Sequence, residues 1–136
     1  MIAPQLVSIA PGLDIVLGGG LPTDRLYLLE GDSGTGKTTL ALQFLLEGVR
    51  RGESVLYVTL SETKDELAAV AVSHGWSLDG MTIHEMADDD SLRPESQYTV
   101  FHPSEVELGD TMTVVFQTLE RVRPRRMVFD LSLIHI

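Results

Sequence analysis

The chain is 136 residues long, 43% hydrophobic and 22% charged, a composition that allows one globular domain and excludes a disordered chain. With 10 basic against 20 acidic residues the net charge is −10, which opposes general binding to duplex nucleic acid unless basic side chains cluster. Cysteine is absent, excluding disulfides and thiolate-held metals and suiting a reducing, cytoplasmic setting. Residues 1–5 carry no positive charge before an apolar stretch, and no apolar run approaches the ~20 residues of a membrane span, so no leader or membrane segment is expected.

Apolar runs and helical periodicities alternate along the chain. Residues 25–29 (Arg-Leu-Tyr-Leu-Leu) form a short apolar run before a glycine-rich turn, the pattern of a buried parallel strand. From Lys37 to about Arg51 the apolar residues Ala41, Phe44, Leu45 and Val49 recur at helical spacing, and Gly52 supplies a stop. Residues 54–60 are rich in β-formers and predict a second strand. Thr63 with Glu66 forms a capping box for a helix through about His74, with Leu67, Val70 and Ala71 on its apolar face. A third strand is expected from Met81 to Glu85, a solvated loop at Asp88-Asp89-Asp90, and a short strand or ordered loop at Tyr98 to Phe101. Met112, Val115, Phe116, Leu119 and Val122 mark a further helix closed by Pro124. Arg126 to Asp130 is a last strand ending in a carboxylate. The basic group Arg121, Arg123, Arg125 and Arg126 fits a helix C-terminus whose cations complement the macrodipole. Such alternation predicts an α/β fold, a parallel sheet with helices on both faces.

Gly31-Asp32-Ser33-Gly34-Thr35-Gly36-Lys37-Thr38 matches the phosphate-loop pattern GxxxxGK[ST], between an expected strand and an expected helix as that motif requires. Glycines let the backbone turn its N–H groups inward around phosphates, and the helix N-terminus adds positive potential at the same point. Residues Gly31 to Thr39 are therefore expected to wrap the phosphates of ATP, with Lys37 on the β- and γ-phosphates and the Thr38 hydroxyl on Mg²⁺. Asp130, at the end of a hydrophobic strand downstream, is the second candidate Mg²⁺ residue. Glu62, just past the second strand, lies where open α/β sheets bind ligands and would orient the attacking water. Its bland alternative is a first-turn glutamate favouring a helix N-terminus. His74, His84 and His102 lack paired ligand spacing, and Trp76 is expected to pack on the core rather than stack a base.

Pro11-Gly12-Leu13-Asp14, Leu17-Gly18-Gly19-Gly20-Leu21-Pro22, the phosphate loop through Leu45, Tyr57 to Thr63, and His74-Gly75-Trp76 together resemble a KaiC-type ATPase of the RecA-like superfamily. The resemblance runs from about residue 8 to 130. It implies a RecA-like P-loop NTPase fold, ATP and Mg²⁺ as cofactors, slow hydrolysis, and a homo-oligomeric hexameric ring with nucleotide between subunits. For the clock member it also implies serine/threonine autokinase activity, carried in a second domain that these residues do not match. The family often places two adjacent glutamates after the second strand; here the first is Ser61, so only Glu62 carries over. That departure leaves two rivals: a nucleotide-binding switch or scaffold without turnover, and a recombinase-like DNA-dependent ATPase, which the net charge disfavours.

The last six residues, Leu131-Ser132-Leu133-Ile134-His135-Ile136, resemble a translated sequencing adapter. Residues 1–130 are accordingly expected to be the N-terminal part of a truncated ATPase domain, and 131–136 a non-native tail. The family's strand order further implies that residues 25–29 and 126–130 are not sheet neighbours. The 136-residue piece is therefore expected to be inactive by itself.

Overall fold

In a computed structural model the chain is described over residues 6–32, 34–60, 62–86 and 103–130. Leu6–Val7 (β1) pairs antiparallel with Leu21–Pro22 (β2) around a short helix, Pro11–Val16 (α1). Asp14 ties this unit together. Its carboxylate accepts from the Ser8 hydroxyl and the Ile9 N–H, which together hold its carboxyl below the usual range.

The main unit alternates α2 (Lys37–Arg50), β3 (Val55–Thr59), α3 (Lys64–Ser73), β4 (Met81–Glu85), α4 (Pro103–Val122) and β5 (Arg126–Asp130). The strands form a parallel sheet in the order β4-β3-β5, with Val55, Tyr57 and Thr59 opposite Met81, Ile83 and Glu85 on one side and Arg126, Val128 and Asp130 on the other. All five residues of β3 are buried. Strand alternation divides the core into two layers. Val55 and Tyr57 pack with Leu42, Leu45 and Leu67 from α2 and α3, whereas Leu56 and Val58 pack with Val114 and Val115 from α4. Helices thus cover both faces, as the α/β expectation required.

Thr63 caps α3 by accepting from the Glu66 N–H at 3.1 Å, and the Glu85 carboxylate accepts from the Lys64 N–H beside it. The α4 helix differs in phase from the expected face. Val114, Val115 and Thr118 are buried with Leu119 and Val122 packed alongside, while Met112 and Phe116 are exposed. Thr118 is tolerated there because its hydroxyl donates to the Val114 carbonyl at 2.9 Å.

Two expectations are corrected. Residues 25–29 form no strand: Leu26 is 99% exposed and Leu28 81%. A strand exists only through a partner's hydrogen bonds, and no ladder joins this segment to β5, whose partner is β3. The basic group is not a helix C-terminus as a unit. Only Arg121 sits in the last turn of α4, Arg123 has a φ of 51°, and Arg126 lies inside the protein.

Arg126 is 4% exposed and joins three parts of the fold. Its guanidinium pairs with Glu53 at 3.1 Å and donates to the carbonyls of Ser8 and Phe44, both at 2.7 Å, lying 5.0 Å from the Phe44 ring centre. Room for it comes from Gly48 in α2, where a Cβ would come within 2.8 Å of the arginine Cδ and of a Val55 methyl. No helix among the described residues is long and apolar enough to cross a membrane. The aspartates 88–90, residues 98–101, His102 and the tail 131–136 lie outside the described residues.

Candidate functional site

The glycine-rich segment runs directly into α2. Gly34 and Gly36 have φ of 85° and 94°, angles that an L side chain rarely adopts, and Gly36 is the residue from which α2 springs. The loop is held from within. Both the N–H and the hydroxyl of Thr35 donate to the Asp32 carbonyl, and the Lys37 ammonium folds back to donate to the Gly31 carbonyl at 2.5 Å. A side chain at Gly31 would come within 2.6 Å of the Thr35 hydroxyl, so the backbone there is closely approached. The first N–H groups of a helix have no acceptor within it, and those of Lys37, Thr38 and Thr39 belong to that first turn. Thr39 lies 3.4 Å from the His74 imidazole, which stacks on Trp76 with ring centres 4.5 Å apart. Trp76 itself packs against the α2-side core, as expected. Ser33 and Ser61 lie outside the described residues.

Register decides which strand residues face this loop. Thr59 is opposite Asp130 and Tyr57 is opposite Val128, and this parity is the one turned toward α2. Asp130 therefore ends β5 on the α2 side of the sheet, at the carboxyl ends of the strands. Thr38, in the first turn of α2, donates to the Glu62 carboxylate at 3.1 Å. Glu62 is placed by β3: its N–H donates to the Thr59 hydroxyl at 2.9 Å, and that hydroxyl lies 3.1 Å from the Glu62 carbonyl. Burial pushes the Glu62 carboxyl up from its ordinary value, the Thr38 bond opposes this, and the negative charges of Asp130 and Glu66 add to the rise. Its second carboxylate oxygen is buried without a hydrogen-bond partner.

Between these groups stands Tyr57, 1% exposed. Its hydroxyl donates to Asp130 at 3.1 Å and also meets the Thr38 side chain. Burial first, then the carboxylates of Asp130 and Glu62, hold this phenol protonated well above its usual range. Thr38, Glu62 and Asp130, which are far apart in sequence, thus meet around one tyrosine. The sequence pattern pointed to the three but missed Tyr57, Thr59 and Arg126. The available signal was parity: Tyr57 and Thr59 are the hydroxyl-bearing residues of β3 and both point toward α2.

The donor set suits a small, hard divalent cation, since it offers one hydroxyl and two carboxylates and no nitrogen or sulfur ligand. The orphaned Glu62 oxygen is an acceptor still open to a cation-bound or attacking water. Mg²⁺ with a nucleotide phosphate therefore fits the residues present.

Comparison with known proteins places these observations in a family. The family described as "ATPase: KaiC" matches residues 7–132. A UPF0273 protein of Pyrobaculum aerophilum is 38% identical over 78 residues, covering 57% of this chain and 28% of that protein. The circadian clock oscillator protein KaiC of Thermosynechococcus vestitus is 30% identical over 150 aligned positions, covering 94% of this chain and 29% of its own length. A UPF0273 protein of Pyrococcus horikoshii is 29% identical over 126 positions, covering 88% of this chain and 51% of that one. The chain thus spans about half the length of the last relative and under a third of the other two. The match over residues 7–132, together with a parallel sheet clad in helices on both faces, shows that the chain belongs to the KaiC ATPase family and has its RecA-like fold.

Proposed function

We propose that this protein binds ATP with Mg²⁺ on residues 31–39 and hydrolyses the terminal phosphate. The observation that carries the reading is the meeting of Thr38, Glu62 and Asp130 at the carboxyl ends of β3 and β5, beside a loop that runs into a helix N-terminus. Backbone N–H groups of the loop would bind the phosphate oxygens, and Lys37 would leave Gly31 to neutralise the β- and γ-phosphates. Thr38 and Asp130 would hold Mg²⁺, directly or through its waters. The bound ion supplies charge neutralisation on the β- and γ-phosphate oxygens. Glu62 would orient a water toward the γ-phosphorus and accept its proton as the new P–O bond forms and the bond to the ADP oxygen breaks. A carboxylate raised by burial is better matched to that proton than an exposed one.

Calorimetry and phosphate release test the two halves separately. Lys37→Ala removes hydrogen bonds to a charged group, each worth about 1.5–3 kcal/mol, so Mg·ATP affinity should fall by at least ~10-fold. Unchanged affinity would overturn the phosphate-loop assignment. Glu62→Gln should bind ATP nearly as tightly as the parent and hydrolyse it ~10²-fold more slowly or worse. Turnover at the parent rate would remove Glu62 from the mechanism, and a parent protein that binds ATP without releasing phosphate would favour a switch or scaffold.

A further inference from the structure

The buried Tyr57 hydroxyl is not needed for packing. It sits in the α2-side cluster with Leu42, Leu45, Val55 and Leu67, where a phenylalanine would fill nearly the same space. A buried polar hydroxyl is costly unless it is bonded. Here it is bonded to the Asp130 carboxylate at 3.1 Å, beside Thr38, whose own hydroxyl donates to Glu62. Asp130 and Thr38 come from different elements, the end of β5 and the first turn of α2. The ring that carries the hydroxyl is fixed by the central strand, whose five residues are all buried.

We infer that Tyr57 is a positioning residue for the metal-nucleotide site, its hydroxyl fixing the Asp130 carboxylate in place beside the first turn of α2. The inference rests on the reading of Asp130 and Thr38 given above. A carboxylate at the end of a short strand otherwise samples its rotamers, and an oxygen displaced by a fraction of an ångström loses much of its value to a cation demanding near-ideal octahedral geometry. The hydrogen bond donated by Tyr57 restricts the orientation of the Asp130 carboxylate. Tyr57 touches neither nucleotide nor metal in this role; it acts through Asp130.

The test is Tyr57→Phe, which keeps the ring and removes the tether. ADP binding to the protein is measured by calorimetry in Mg²⁺ and again in EDTA, and the ratio of the two affinities isolates the metal's contribution. The expected result is a ratio reduced about 5- to 20-fold, with affinity in EDTA unchanged. A purely structural tyrosine would lower both affinities together or neither, and either outcome would overturn the inference. Asp130→Asn serves as the reference. Where Asp130→Asn collapses the ratio but Tyr57→Phe leaves it intact, only the positioning role fails. Where Asp130→Asn also leaves it intact, the assignment of Asp130 itself fails and the inference falls with it.

Discussion

Two segments of this protein have nearly the same local character and opposite fates. Residues 25–29 are Arg-Leu-Tyr-Leu-Leu and β3 is Val-Leu-Tyr-Val-Thr, each with a Leu-Tyr pair and each followed closely by a glutamate. β3 is flanked by β4 and β5 and wholly buried, whereas 25–29 has no ladder and its leucines face outward. The difference lies in partners. β3 has a strand on each side and a helical layer on each face, so each apolar side chain gains about 1.5–3 kcal/mol from burial while its backbone groups are paired. The same propensity without a neighbouring edge gains neither.

This contrast is breakable by matched substitutions. Leu56→Ala opens a cavity in the α4-side core and should cost about 2–5 kcal/mol in chemical denaturation. Leu28→Ala removes a side chain already in solvent and should change stability by no more than about 0.5 kcal/mol. Equal losses would mean that 25–29 is packed in solution and that the contrast is false.

A smaller effect sharpens it at the glutamates that follow. Burial raises the Glu62 carboxyl, so the folded protein binds this proton more tightly than the unfolded chain does. That favours the fold at low pH, and the advantage is lost as pH rises through the raised value. Without nucleotide, Glu62→Gln should therefore melt higher than the parent at neutral pH, and the gap should close as the pH is lowered toward and below about 4.3, the ordinary glutamate value. The corresponding change at the exposed Glu30 should alter stability little at neutral pH. A Glu62→Gln protein less stable than the parent at neutral pH would show that its ionised form is favoured by the site.

Much of this molecule was legible in its sequence because the signals were local. The helix from Lys37, the Thr63 cap, and the strands at 81–85 and 126–130 each follow from a short pattern that the fold had no reason to override. The glycine positions did as well, since Gly34 and Gly36 take the left-handed angles their motif demands. What escaped was set by tertiary context. Residues 25–29 carried a strand's composition but no partner, and composition does not reveal an unoccupied edge. The buried face of α4 shifted toward Val114 and Thr118 because a threonine that bonds its own helix can pass as core. Tyr57 looked like one more β-former until the register set it beside Asp130. Arg126 looked like the end of a basic run, although its partners Ser8, Phe44 and Glu53 are all distant in sequence.

Those distances bear on how the protein is made. Arg126 grips a carbonyl 118 residues earlier, another 82 residues earlier, and a carboxylate 73 residues earlier. At about 5–20 residues per second, roughly 6–24 s of translation separate Ser8 from the side chain that holds its carbonyl. Over that interval the amino-terminal unit lacks its anchor to the sheet, and Glu53, made later, waits about 4–15 s at the same rate for its cation. The growing chain therefore stays exposed to chaperones and proteases until one late arginine arrives and fastens the early parts of the molecule together.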